Sequence, residues 1–356
     1  MFDDAQRAVA DMKARAIGHP FAAAWWFPAD NWCVESLFFY YLWPWFSLFG
    51  YSVITDEAAS MALWCVTFLF TLLLTDLLCE SYVVTSVVAL VFTFLPFAFI
   101  YSFVAFNYGM TPTFAVMSLY FLNRGSNWSL VVGGIAAGLC LWSSVLGQQY
   151  IVALALCAPF YWRQWRKGLV VFAGFSVAAA PIVSYMIFHW TDYTYHASTR
   201  WNPTLDLTRI WDTFFVIPTH SYFLPDALLI PLPYYVLLIT GAVVALWKKR
   251  FDIVLLATIP VAGVFVTGGP YVEHRLLMAI PFWIILIGFG VNVILNGGDA
   301  LLIRHRIIRN AALTVRSAGA AIIIAMGLIP SAHYIYAKAK DPTSIHAFDP
   351  RRSITR

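Results

Sequence analysis

Residues 58–79 read AASMALWCVTFLFTLLLTDLLC, an apolar run interrupted by one charge, Asp76. At about 1.5 Å of helical rise per residue, such a run crosses the roughly 30 Å hydrocarbon layer of a bilayer. Moving outward from it, further apolar runs lie at 82–103, 105–123, 128–147, 149–161, 169–189, 229–247, 253–268, 275–295 and 318–336. The sequence thus predicts an all-α, polytopic membrane protein of about ten transmembrane helices. The short run 149–161 and the Pro112-bearing run 105–123 read equally as half-helices or re-entrant pieces. Composition agrees: 61% of the 356 residues are hydrophobic and 11% charged, against roughly 45–50% and 25% in soluble domains. A soluble globule is excluded.

The net charge of +4 is small, and the basic residues sit in short clusters between apolar runs. That leaves no footprint for nucleic acid. The clusters report orientation instead. With residue 1 outside, Arg124, Arg163, Arg166, Lys167, Lys248, Lys249, Arg250, Arg304, Arg306, Arg309 and Arg316 all fall on one side. The opposite short loops hold chiefly Arg200, Arg209 and Arg275. The positive-inside rule then places the N-terminal segment, the loops 190–228 and 268–274 and the C-terminal tail outside. Cys65, Cys79, Cys140 and Cys157 lie inside apolar runs and only Cys33 in a loop, so no disulfide pair or metal-ligand spacing is evident. The first 18 residues are mixed polar and charged rather than a cleavable leader.

Before the first span, Phe2, Ala5, Val9, Met12 and Ala16 recur at helical steps, and Gly18 and Pro20 stop the pattern. This predicts an amphipathic surface helix over 2–17. The aromatic stretch that follows, from Trp25 to Trp45, suits the headgroup level, and 34–52 reads as interfacial or re-entrant. If 34–52 crosses, the N-terminus moves inside and the rest of the topology stands. The organisation is therefore an external segment 1–56, a transmembrane domain 57–336 with the external loop 190–228, and a polar tail 337–356.

Several residues carry chemistry. Asp3 and Asp4 open the surface helix, where carboxylates also cap amides and face the positive end of the helix dipole. Asp56 and Glu57 follow Thr55 just before a span, again the pattern of a capped helix start and again a candidate pair of binding acids. Glu273, His274 and Arg275 stand at the outer mouth of a span, where Arg forks onto a phosphate and His adds a donor, or where both merely anchor the interface. The loop 190–228 sets His196 and Arg200 among Trp190, Tyr193, Tyr195 and Trp201, a mixture that suits sugar rings and interfacial belts alike.

The order of these pieces resembles the GT-C superfamily of integral-membrane glycosyltransferases, in the branch of protein O-mannosyltransferases and the lipid A aminoarabinose transferase. The likeness runs nearly end to end. It is carried by FDDAQRAVADMKARAIG (2–18), ESLFFYYLWPWFSLFGYS (35–52), LPFAFIYS (95–102), NRGSNWSLVVGGIAAGL (123–139) and EHRLLMAIPFW (273–283). The resemblance implies transfer of a hexosyl or pentosyl group from a polyprenyl-phosphate donor to a glycan, lipid or protein acceptor at the outer face. It implies Asp4 or Asp3 as the general base, inversion at the anomeric carbon, and His274 and Arg275 on the departing phosphate. Glu273, Asp56, Glu57, Asn107, His196 and Arg200 complete the expected substrate-binding set.

Some relatives need a divalent metal, Mg or Mn, near the acidic residues, and the sequence leaves that open. Localisation follows the resemblance too: a bacterial inner membrane, multi-pass, with the catalytic loops on the periplasmic side. The chain departs from the family in three places. The family's first span is expected to be absent here or its coding start missed, Asn107 stands where relatives carry an acid, and Gln148 and Gln149 stand where they carry a Lys. These departures support the alternative of a catalytically silent GT-C-like subunit of a larger membrane complex. A lipid or small-molecule transporter is disfavoured, because the spans show no matched pair of charged, Gly-broken helices at mid-membrane depth.

Overall fold

The computed structural model describes residues 24–27, 32–103, 107–159, 165–191, 211, 213–215, 228–267, 273–296 and 306–340. The expected surface helix 2–17 lies outside these residues. The described chain opens on an antiparallel hairpin, β1 (Ala24–Phe27) against β2 (Trp32–Glu35), with Ala24 opposite Glu35. The sequence reading foresaw no strand here, although Trp25, Trp26, Phe27 and Val34 are residue types enriched in strands. All else that is described is helical. The elements are α1 (Leu37–Phe49), α2 (Val53–Cys79), α3 (Tyr82–Phe94), α4 (Pro96–Phe103), α5 (Met110–Arg124), α6 (Asn127–Ser143), α7 (Leu146–Cys157) and α8 (Trp165–Phe188). They continue with α9 (Leu232–Trp247), α10 (Phe251–Thr267), α11 (Ile280–Asn296) and α12 (Arg306–Lys340). Two 3-10 segments, Asn107–Gly109 and Glu273–Ala279, precede α5 and α11.

Four stretches are long and apolar enough to cross a bilayer: Ile54–Cys79, Trp165–Phe188, Leu276–Leu295 and Arg316–Ala337. The run expected as one span at 82–103 is instead two helices bent by 63°, α3 and the first residues of α4. The bend sits at Leu95–Pro96, because a proline disfavours helical geometry in the residue before it. The other apolar runs fold as the shorter helices α5, α6, α7, α9 and α10. Pro112 does not break its run as expected: it falls in the first turn of α5, where a missing amide costs nothing. Arg306, Arg309 and Arg316, expected in a loop, lie on the 35-residue α12.

The bundle is built around α11, whose stretch Leu276–Leu295 is 89% buried and which touches α2, α3, α5, α9, α10 and α12. By contrast α8 and α12 lie at the rim and expose Phe172, Val177, Ile187, Ile322, Met326 and Ile329. Neighbouring spans approach closely at glycines. A Cβ on Gly134 or Gly174 would overlap a carbonyl oxygen of the facing helix in the α6–α8 pair, as would one on Gly241 or Gly290 in the α9–α11 pair. Thr67, Thr71 and Thr75 stay buried in α2 by donating to the carbonyls of Leu63, Thr67 and Thr71 at 3.0, 2.7 and 2.8 Å. Among the described residues the cysteines are free.

Candidate functional site

The two 3-10 segments meet. Asn107–Gly109 packs against Glu273–Ala279, and also against α1, α2 and α5 at the end of the bundle where α5 begins. Glu273–Ala279 packs in addition on α5, α10 and α11. The backbone thus brings the turn that opens on Asn107 against the segment that opens on Glu273, His274 and Arg275, across 166 residues of chain. The side chains of these four residues are outside the described set. So are Asp3, Asp4, His196 and Arg200 entirely.

Asp56 and Glu57 are described, and the capping expectation for them is corrected. The α2 helix starts earlier than hydropathy alone placed the span, at Val53, so the cap is Ser52. The Thr55 amide donates to Ser52 Oγ at 3.1 Å, and the Thr55 and Ser52 hydroxyls lie 2.9 Å apart. Asp56 is left on the first turn with no capping task. It is 6% exposed, and its Oδ1 has no hydrogen-bond partner. A buried carboxyl oxygen without a hydrogen-bond partner is costly, so its retention calls for a physical reason. Glu57 is half-buried.

The face of α2 that carries Asp56 is turned toward α5 and the Asn107–Gly109 turn. Thr67, eleven residues further and so on the same face, shares a 2.7 Å hydroxyl contact with Thr113 of α5. Trp64 is 3% exposed; its Nε1 lies 3.9 Å from where a Cβ on Gly109 would sit and has no hydrogen-bond partner. Deeper on the same helix the threonines are all satisfied. The unpartnered polar atoms of α2 therefore concentrate toward the end where the two 3-10 segments converge.

Two polar clusters escaped the sequence reading, and a third holds Gln149, which the resemblance had singled out. Thr111 on α5 places its hydroxyl 2.9 Å from that of Ser143 and 2.6 Å from that of Ser144, joining α5 to the α6–α7 corner. Gln149 on α7 crowds against Gly263 of α10, and its Oε1 is buried with no hydrogen-bond partner. At the opposite end of α5, Arg250 grips Asp252 through Nε at 3.1 Å and Nη2 at 2.5 Å, and its Nη1 donates to Asn123 Oδ1 at 2.8 Å. The signal for this clamp was present as Arg-Phe-Asp, but a charge triplet in a basic loop reads as solvated.

Of the loop 190–228, a short described piece docks on the bundle. Trp211 and Phe215 have ring centroids 4.6 Å apart, and Phe215 and Tyr235 of α9 5.1 Å. Tyr235 donates its hydroxyl to the Phe214 carbonyl at 2.9 Å, and Phe214 lies edge-on to Trp283 of α11. Among the described residues, no three His, Cys, Asp or Glu side chains come together as a metal site would require.

No family model and no curated protein matches the chain. The fold is similar to two crystal structures of ArnT from Cupriavidus metallidurans, one in the apo state and one bound to undecaprenyl phosphate. Identity is 13% in both, with 91% of this chain and 68% of the other covered, at TM-scores of 0.46 and 0.48. At that identity no residue role passes from those proteins to this chain.

Proposed function

We propose that this chain is a membrane glycosyltransferase that moves a hexosyl or pentosyl group from a polyprenyl-phosphate donor to a glycan, lipid or protein acceptor at the outer face of a bacterial inner membrane. The observation that carries the reading is the meeting of Asn107–Gly109 with Glu273–Ala279, where the first of the two also touches α2. It gathers the segments that the sequence resemblance assigns to substrate, in a protein whose apolar helices suit a lipid-borne donor.

In this reading, Asp4 or Asp3 accepts the proton of the acceptor hydroxyl as that oxygen attacks the anomeric carbon, with inversion. The bond to the carrier phosphate breaks, and negative charge grows on the departing phosphate. Arg275 is suited to meet it through a planar fork of donors, and His274 adds a further N–H. A divalent metal, Mg or Mn, would add positive charge near the acids. The silent-subunit alternative is favoured by one observation: Gln149, in the stretch where the resemblance places a Lys, is taken up in packing against Gly263.

The test is transfer of labelled sugar from a polyprenyl-phosphate donor in proteoliposomes. The Asp3→Asn, Asp4→Asn double variant is expected to insert normally and lose transfer, since it removes the base while keeping side-chain shape. Normal transfer by that variant would sink the assignment of the base. Paired His274→Ala and Arg275→Ala substitutions are expected to weaken binding of the bare polyprenyl phosphate by about tenfold or more. Unchanged binding would remove their phosphate role.

A further inference from the structure

We infer that Asp56 binds a hydroxyl group of the carrier-borne sugar, an assignment that rests on the transferase reading above. Three observations lead to it. The carboxylate has no structural employment, since Ser52 caps α2 and Asp56 is only 6% exposed with Oδ1 lacking a partner. A carboxyl accepts hydrogen bonds and, when protonated, also donates one, so a hydroxyl group can complete Oδ1 in either state. Among the described residues no side chain does so.

The second observation is direction. Asp56 shares its helix face with Thr67, which meets α5, and the same helix sets the unpartnered Trp64 Nε1 near Gly109. Toward this end of the bundle, α2 offers one orphan acceptor and one orphan donor. A polyhydroxylated ring carries both kinds of group and can answer either.

The third is the footing. Phe38, Phe39, Leu42 and Phe46 of α1 pack on Ala59 and Leu63 of α2, one to two turns from Asp56. Tyr41 fixes that packing by donating its hydroxyl to the Ala59 carbonyl at 2.7 Å. That buried packing holds the first turns of α2, and with them the Asp56 carboxyl, in a fixed position.

The experiment compares two probes on the full chain in lipid nanodiscs: bare undecaprenyl phosphate, and undecaprenyl phosphate carrying a glucosyl, mannosyl or arabinosyl group. The wild type is expected to bind at least one sugar-loaded lipid about tenfold or more tighter than the bare lipid, the worth of a hydrogen bond to a charged group. Asp56→Asn is expected to lose most of that preference and to bind the bare lipid as before. A preference retained in Asp56→Asn overturns the inference and leaves the transferase reading standing. So does loss of bare-lipid binding together with the preference, because the role is then structural. Binding of neither lipid by the wild type overturns the transferase reading itself and this inference with it. If Asp56→Asn does not insert, Asp56→Glu reads the same quantity: a severalfold change in preference with bare-lipid binding intact supports the assignment, and no change contradicts it.

Discussion

Asp56 and Asp252 are both buried carboxylates, yet only Asp252 has a partner in the fold. Asp252 is held by the two-pronged guanidinium of Arg250, which is itself tied to Asn123 at the end of α5. Removing one member of such a pair strands the other in a partly desolvated place. Because Arg250 keeps 20% of its side chain exposed, water softens the loss, and Asp252→Ala is expected to cost about 2 kcal/mol. Asp56→Asn breaks no such pair, so it is expected to change the stability of the unliganded protein by less than about 1 kcal/mol. Unfolding curves of the two variants in detergent check both. A markedly lower midpoint for Asp56→Asn would mean that the carboxylate is structural. The contrast is that of a fold residue against a binding residue, since groups kept at a cost to stability concentrate where ligands are met.

At the scale of elements, hydropathy located the apolar helices but not their places. The stretch Leu276–Leu295 is 89% buried in protein and Trp165–Phe188 only 17%, yet both read as apolar runs. The reason is that lipid and protein interior are equally apolar solvents. What distinguishes the packed helices is their small residues, and Gly241 and Gly290 mark the α9–α11 contact. Gly241→Leu is therefore expected to prevent close packing of this pair and to cut the yield of folded protein severely. A substitution at Gly168, where no atom lies within reach of an added Cβ, is expected to be neutral. Monodispersity on size exclusion reads both. The bend at Pro96 and the hairpin β1–β2 were not legible, because period and hydropathy average over the residues that cause them. The site was legible in part. The resemblance singled out both segments that meet, Asn107–Gly109 and Glu273–Ala279, whereas the burial of Asp56 depended on where α2 begins, a matter decided by the Ser52 hydroxyl.

For the whole molecule, an orientation in the membrane and a chemistry go together. In the proposed orientation the basic residues at the α5–α6, α8 and α9–α10 turns lie inside, and the Asp56 end of α2 lies outside. In a cysteine-free background, Trp190→Cys is expected to react with a membrane-impermeant maleimide on intact cells, and Asn127→Cys only after permeabilisation. The reverse pattern would invert the topology and put the proposed site on the wrong side of the membrane. The central claim, that this bundle handles a polyprenyl-phosphate-borne sugar, is met most directly by a native mass spectrum of the protein extracted gently from its own membrane. The account expects the chain with a bound polyprenyl phosphate, bare or sugar-loaded. A chain held in a stoichiometric complex with other subunits and free of carrier lipid would contradict it.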